Sequence, residues 1–368
     1  MKNKYDYLIV GAGLFGSIFA YEMTKRGKTC LVIDKRSHIG GNCYTEKRDN
    51  INVHVYGPHI FHTNNEIVWG WINEFITFLP YKHTAKVSHG EDIFSFPINL
   101  MTLHQLWGVK TPNEAEEKLK SVRVINDNPA NLEEWALSQV GHEIYNKFIK
   151  GYTEKQWGKS PKNLPSDIIK RLPIRLNFND CYFFDKYQGI PTNGYTELFE
   201  KLLSGIDILI NSDYINIKDE INYDKLVYTG KIDEYFNYKF GDLEYRGLTF
   251  KTKRLNMKDY QGSPVVNYTE KNVPFTRITE HKHFENSISD VTWITKEFSS
   301  KCERKDIPYY PINDEENNNK YQKYLDLSKS ENNVIFGGRL GEYKYYDMDK
   351  IIESALNAVK KEIDDVNN

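Results

Sequence analysis

Tyr5-Asp6-Tyr7-Leu8-Ile9-Val10-Gly11-Ala12-Gly13-Leu14-Phe15-Gly16 is the stretch on which the fold turns. Residues 7–10 form a short apolar run of the kind that makes a buried strand, and 14–25 carry a small and apolar helical face. The glycines between them satisfy GxGxxG directly after a strand and at a helix start, the context that makes the pattern informative. Gly11 permits the tight turn, Gly13 lets backbone approach a pyrophosphate, and Gly16 allows close helix-to-strand packing, while Leu14 and Phe15 open the helix whose N-terminus attracts the negative charge. Residues 30–34 supply a second strand ending at Asp34, whose carboxylate can accept hydrogen bonds from a ribose. The chain therefore opens as a βαβ dinucleotide-binding unit.

The following turn chooses between nucleotides. Lys35-Arg36-Ser37-His38-Ile39-Gly40-Gly41-Asn42 is basic and glycine-rich, and it resembles the same turn in FAD proteins of the glutathione-reductase type. A second Gly-Gly lets backbone come near the long FAD diphosphate and ribityl chain, which a shorter nicotinamide site does not need. Far along the chain, Gly337-Gly338-Arg339 leads to Asp347 and Met348 at a helix start. There, N–H groups and a cation can face the pyrimidine edge of a flavin and favour its reduced, anionic form.

Composition excludes other classes. The 368 residues exceed one domain of the usual ~100–200. Lys and Arg total 49 against 51 Asp and Glu, and this formal charge of −2 argues against broad capture of nucleic acid or an anionic membrane. No run approaches the ~18 apolar residues that span a bilayer. Met1-Lys2-Asn3-Lys4 enters the first strand without an apolar signal core, so a cytoplasmic location is expected. Cys30, Cys43, Cys181 and Cys302 contain no CxxC pair, which indicates neither a disulfide framework nor a zinc knuckle. At 14 % of the chain, aromatic residues suffice for core packing and leave a minority to stack on a planar ligand.

Periodicity orders the remainder. Residues 65–79 read as a helix and 93–97 as a strand; helical segments start at Thr111-Pro112 and continue through 132–140 and 142–150. A helix at 194–203 then feeds buried strands at 206–210 and 225–228. Strand-like segments follow at 243–250, 264–268, 276–281 and 291–298, then a surface loop at 314–320, a strand at 333–336 and an amphipathic helix at 348–363 with a frayed end. The expected fold class is α/β: a Rossmann-like FAD-binding βαβ sheet domain with an inserted helical domain and an antiparallel β-sheet layer. The expected units are a discontinuous FAD-binding domain (1–80, 190–235, 330–368), a helical insert carrying a mobile substrate loop (100–190) and an antiparallel substrate domain (81–99, 236–329).

Six longer blocks carry a more specific signal. They are Tyr56-Gly57-Pro58-His59-Ile60-Phe61-His62-Thr63, Lys150-Gly151-Tyr152-Thr153-Glu154-Lys155-Gln156-Trp157-Gly158, Ile169-Lys170-Arg171-Leu172-Pro173-Ile174-Arg175, Thr276-Arg277-Ile278-Thr279-Glu280-His281-Lys282-His283-Phe284, Pro308-Tyr309-Tyr310-Pro311 and the run from Gly338-Arg339 to Asp347-Met348. In order and spacing the chain resembles the UDP-galactopyranose mutases of bacterial type over nearly its whole length. The resemblance implies a redox-neutral isomerase that interconverts UDP-galactopyranose and UDP-galactofuranose, supplying the furanose for cell-surface glycans. It implies a homodimer, and FAD that an external reductant must reduce before it acts as nucleophile at the anomeric carbon.

The same resemblance assigns residues. Arg171 and Arg277 clamp the departing diphosphate, a task that suits forked donors of permanent charge. Phe148, Tyr152, Thr153, Trp157 and Tyr182 meet the uridine or diphosphate; Asn267, Tyr310 and Tyr345 contact sugar or diphosphate. His59 and Ile60 place backbone beside the flavin, His62 lies near the sugar as a catalytic group, and His83 stands where other members often have a polar amide. Gly151 and Gly158 bracket a loop expected to close on UDP. No metal is expected, because neither His59 and His62 nor His281-Lys282-His283 has a carboxylate or cysteine at useful spacing. Three rivals stand beside the mutase. One is a flavin oxidoreductase of the amine-oxidase type, which predicts net redox turnover; no second GxGxxG is present to hold NAD(P)H, which counts against it without refuting it, since small nicotinamide sites exist without one. Another is a mutase preferring UDP-N-acetylgalactosamine, since one pocket side chain could decide that. The third is a silent sugar-nucleotide-binding protein, which would lack the arginine pair.

Overall fold

The computed structural model describes residues 4–170 and 174–367, so Arg171 lies outside the described residues. The apolar run Tyr5–Val10 is the central strand of a five-stranded parallel sheet, between Cys30–Ile33 and Tyr223–Tyr228, with Asp207–Leu209 and Val334–Phe336 at the edges. Successive side chains of a strand point to opposite faces, and both faces of this one are covered: Ile9 packs with the first helix, Leu14–Thr24, and Leu8 packs with Leu31 and Leu226 on the other side. The C-terminal helix Met348–Asn367 packs along the first helix. Its buried Glu362 accepts hydrogen bonds from Tyr7 Oη at 2.8 Å and Lys225 Nζ at 2.6 Å, fastening it to two adjacent strands.

A second sheet has seven strands in the order Pro308–Pro311, Tyr245–Leu255, Thr292–Lys301, Arg277–Glu280, Val265–Tyr268, Ala85–His89 and Asp92–Phe96. Its pairings are antiparallel except that Val265–Tyr268 runs parallel to Ala85–His89, which corrects the expectation of a purely antiparallel layer. Two separate excursions of the chain meet at that joint, and no hairpin turn constrains their direction. Helices Leu100–Trp107, Pro112–Val122 and Leu132–Ile144 surround their own core of Leu103, Leu119, Ala136 and Ile144. The last of them is kinked at Gly141, whose φ of +72° admits no ordinary side chain and where an added Cβ would stand 2.3 Å from the Val122 carbonyl oxygen. A π-helical turn, Tyr145–Lys150, then leads into the short helix Gly151–Trp157.

Several sequence readings are corrected. The helix expected over 65–79 stops at Asn73, and Phe78–Pro80 is a strand paired with Tyr187–Pro191; the apolar spacing runs on because Ile76 enters the same core from a turn. Residues 314–320 are no loop. Asp314 caps a helix, Glu315–Ser328, by accepting the Asn317 N–H at 3.0 Å, and the polar composition reflects a helix that buries little beyond Asn317 and Tyr324. The C-terminal helix continues past 363 to Asn367, so the expected frayed end is helical. The hairpin Thr45–Arg48 and Ile51–His54 and the strand Phe61–Thr63 have no counterpart in the periodicity.

This hairpin brings two buried histidines together. His54 donates its backbone N–H to His281 Nδ1 at 3.2 Å, and the other ring nitrogen of His281 bonds Thr295 Oγ1 at 2.7 Å. Burial, with the Arg48 charge adding to it, pushes His281 down to about 3, and burial beside His281 and His59 pushes His54 well below its ordinary value. The unfolded chain therefore binds protons that the native state refuses, so stability is full above about pH 6.5 and falls as the pH drops from there towards the native values. Urea unfolding midpoints at pH 7 and pH 5 should show the lower value at pH 5, and His281→Asn should reduce that difference. An identical drop in both proteins would show that the acid sensitivity lies elsewhere.

Candidate active site

Two cavities adjoin and share part of their lining. The first, of 220 Å³, lies at the C-terminal end of the parallel sheet and is lined by Gly11, Gly13, Leu14, Phe15, Gly16, Asp34, Lys35, Arg36, Gly41 and Asn42. Asn42, His59, Tyr309, Arg339 and Met348 belong to both, so the second, of 410 Å³, is continuous with it. The expected cofactor residues Ile60 and Asp347 line the second cavity only, at the junction.

The first cavity is a backbone cradle. Gly11 has φ +105°, and an added Cβ would be 2.1 Å from Thr229 Oγ1. A Cβ on Gly41 would approach Gly13 Cα to 3.0 Å, so the two glycine turns touch backbone to backbone. Asp34 holds this loop as well as facing the cleft, since its carboxylate accepts the N–H groups of Ala12 and Arg36 at 2.8 Å each. Arg36 donates to Asn42 Oδ1 at 2.8 Å and lies over the Tyr56 ring, but its Nη1 is buried without a partner, a cationic donor left for a ligand. A close-approach cradle on two glycine turns with an orphaned guanidinium nitrogen fits the diphosphate of FAD. At the other end Arg339 donates to the Tyr346 carbonyl at 2.9 Å, just before the N-terminus of the C-terminal helix. The His59 imidazole is held neutral by burial, at about 4, and the backbone N–H of His59 donates to His54 Nδ1 at 3.1 Å.

The second cavity gathers Phe148, Tyr152, Thr153 and Trp157 from the π turn and its following helix, Asn267 and Arg277 from the large sheet, Tyr310 from its edge strand, and His62, His83, Tyr182 and Tyr345 from loops and a short strand. Of the expected substrate residues only Arg171 is not placed, being outside the described residues. Arg277 Nη2 donates to Tyr152 Oη at 2.8 Å and its Nε lies 3.3 Å from Glu297. Burial opposes the Arg277 charge, but Glu297 and, to a lesser degree, the surrounding tyrosines together more than offset it and keep the pKa well above arginine's ordinary value. Burial also pushes Tyr152 up to about 12 and Tyr310 well above 10, so both hydroxyls stay protonated and can donate. His83 is driven by burial, with Arg277 and His62 adding, to about 3; its Nδ1 pairs with Tyr81 Oη at 3.2 Å.

The helix that carries Tyr152 and Trp157 is fastened. Lys155 Nζ reaches the carbonyls of Tyr268, Val273 and Phe275 at 2.6, 3.1 and 3.0 Å, and burial brings its pKa down to about 8. Arg246 donates to the carbonyls of Gln156 and Lys155 near the C-terminus of the same helix. The two glycines that bracket this segment are closely packed: Cβ atoms there would come within 2.3 Å of the Thr269 carbonyl oxygen and 2.5 Å of Arg246 Nη1.

Sequence reasoning missed Glu297, Asp185 and Lys155. Nothing linear marks them, since each gains its role from a partner far along the chain, except that Lys155 lies inside a quoted block. The argument against carboxylates near His283 is corrected too: Asp259 and Glu280 stand 3.0 and 3.2 Å from its Nε2, brought there by folding. These three form the sole cluster of potential metal-binding geometry among the described residues. Lys282 Nζ at 3.7 Å from Asp259 and three donors on Glu280 (Tyr260 N, Gln261 N and Thr292 Oγ1) make it an ion-pair knot. None of the four cysteines forms a disulfide, and no helix is long and apolar enough to cross a membrane, among the described residues.

The parallel sheet, the glycine cradle and the joined second cavity define a Rossmann-type flavoenzyme. The chain belongs to the UDP-galactopyranose mutase family, whose model matches residues 147–345; a model for NAD(P)-binding Rossmann-like domains matches residues 9–75. It is 42 % identical to the dTDP-fucopyranose mutase of Escherichia coli, over 96 % of this chain and 97 % of that protein. It is also 42 % identical to a probable UDP-galactopyranose mutase of Klebsiella pneumoniae, over 100 % of this chain and 97 % of the other. The fold is shared with a reduced UDP-galactopyranose mutase crystal structure at a TM-score of 0.77 and 16 % identity, covering 98 % of this chain and 94 % of that one.

Gly11→Ala should purify as folded protein with its flavin content lowered about tenfold or more, since a clash at a positive φ costs more than ~1.4 kcal/mol. Flavin absorbance per protein measures this, and undiminished flavin would show that the turn is not the cradle.

Proposed function

We propose that the protein interconverts the pyranose and furanose forms of a nucleotide-linked hexose, UDP-galactose in the first instance, without net oxidation or reduction. The observation that carries this reading is Arg277, held charged by Glu297 among protonated tyrosine hydroxyls in a cavity continuous with the FAD cradle. When bound in reduced form, FAD supplies a nucleophile for the anomeric carbon. The chain's own part is to bind and orient the nucleotide and to stabilise charge on the departing diphosphate. Arg277 offers a fixed, forked donor, and Tyr152, Tyr310 and Tyr345 line the same space without adding charge. Arg171 is proposed as the second half of this clamp. Phe148, Tyr152 and Trp157 give the nucleobase and ribose their flat surfaces, with Thr153, Tyr182, Asn267 and His83 as polar contacts and His62 near the sugar. A cytoplasmic location, a homodimeric state and reduction of FAD by an external donor complete the proposal.

A second reading keeps the reaction and changes the substrate to dTDP-fucose. It is favoured by the equal similarity to the Escherichia coli enzyme and by the apolar, aromatic walls of the cavity, where Phe183, Val140, Ile149 and Ile174 offer contacts to the thymine methyl and to a sugar methyl in place of a hydroxymethyl group.

The deciding assay incubates purified protein with UDP-galactofuranose, with and without dithionite, and follows the pyranose by chromatography alongside the flavin spectrum. Product only under reduction, with no flavin oxidised per turnover, is the expected result. Preference for the dTDP-fucose pair, or for UDP-N-acetylgalactosamine, would change the substrate alone; a yellow protein inert towards all three would turn the reading to an oxidoreductase. Arg277→Ala should lower kcat by about 10² or more with flavin retained. Trp157→Ala should raise KM about tenfold with little change in kcat, and an unchanged KM would return Trp157 to packing.

A further inference from the structure

Isomerising a pyranose to a furanose changes which hydroxyl oxygen is bonded to the anomeric carbon. The C1–O5 bond breaks and the C1–O4 bond forms; O5 must gain one proton and O4 must lose one, with no electrons gained or lost. A group that both releases and accepts a proton near the sugar is therefore required, and it needs one nitrogen or oxygen facing the sugar and another held elsewhere.

His62 is built in this way. Its Nδ1 lies 2.8 Å from Asp185 Oδ2, and its ring stacks on Phe183 with centroids 3.7 Å apart and planes at 15°. Nε2 is turned to the other side, 3.9 Å from Asp347 Oδ2 on the wall of the larger cavity. Asp185 is itself fixed: Asn64 Nδ2 donates to its Oδ1 at 2.6 Å, Gln188 Nε2 donates to its carbonyl at 2.8 Å, and Asn64 Oδ1 accepts the Lys186 N–H at 2.8 Å. The strand register His62↔Gln188 brings these pieces together. The other charged or titratable groups around the pair are Asp347 beside Nε2, His83 across the cavity, and Lys350 and Lys186 near Asp185, the last already paired with Glu66 at 2.7 Å.

We propose that Asp185 is a positioning residue that fixes the tautomer and ring orientation of His62, so that His62 Nε2 carries the proton between O4 and O5 of the hexose. The proposal rests on the mutase reading. A carboxylate on one imidazole nitrogen holds the proton there and leaves the other nitrogen free to accept, and it stabilises the imidazolium while the proton is in transit.

Asp185→Asn keeps the size of the side chain and places an amide against Nδ1, where it can favour the wrong tautomer. In the dithionite-reduced holoenzyme it should lower kcat about tenfold or more with KM unchanged, and it should displace the pH profile of kcat. Flavin content and UDP affinity should stay at wild-type levels. Asp185→Glu should recover part of the rate, and Asn64→Ala, which frees Oδ1, should lower kcat by less. The double variant His62→Ala with Asp185→Asn should be no slower than His62→Ala alone, because residues acting as a unit are not additive. Wild-type kcat and pH profile in Asp185→Asn, or an additive double variant, would overturn the relay while leaving the mutase standing. A wild-type protein inert with all three sugar nucleotides would overturn the mutase reading itself.

Discussion

Arg277 and Glu297 are direct register partners across two antiparallel strands, and the architecture of the larger cavity depends on their meeting. A guanidinium taken out of water costs several kcal/mol unless an opposite charge and further hydrogen bonds compensate. Glu297 supplies the charge and Tyr152 accepts a hydrogen bond from the other side, so one cation ties the sheet to the helical segment. Slipping either strand by one residue would send one partner to the opposite face and leave two charges buried alone. The sheet register and one anchor of the helix carrying Tyr152 therefore follow from a single pair.

The FAD side is organised by the opposite principle, the absence of side chains. Gly13 and Gly41 bring two turns into backbone contact, and the donors there are N–H groups and the one orphaned nitrogen of Arg36. Asp34 holds the turn in shape from behind. The two cavities thus differ in kind: one is a cradle whose shape any bulk would destroy, the other a chamber whose chemistry is all in its side chains. They share Asn42, His59, Tyr309, Arg339 and Met348, which is where a cofactor bound in one would face a ligand in the other.

The local features of the sequence were the legible ones. The βαβ opening could be read because strand, glycine turn and helix are contiguous and each has its own period, and the helix 348–363 could be read from its apolar stripe. Periodicity misled where burial and secondary structure parted company. Ile76 is buried from a turn and so extends a helical pattern past its end, while 315–328 form a helix that buries too little to show one. The parallel joint between Val265–Tyr268 and Ala85–His89 is a tertiary event with no local cause. The same distinction holds in the site. Residues of the contiguous blocks come together around the two cavities, whereas Glu297 and Asp185 carry no linear mark, because a carboxylate has no signature until its arginine or histidine is beside it.

The π turn at Tyr145–Lys150 gives the larger cavity an angular setting. Each residue of an α-helix advances the side chains by about 100°, so the wider turn rotates everything after it relative to everything before. Phe148 lies within the turn and Tyr152 and Trp157 beyond it, and the rotation brings all three to one wall. In a family whose members differ in nucleobase and sugar, the phase of this turn is an adjustable element separate from the identity of any side chain. A one-residue insertion or deletion there would turn these aromatic side chains away from the cavity while leaving the glycine cradle and the Arg277 pair in place.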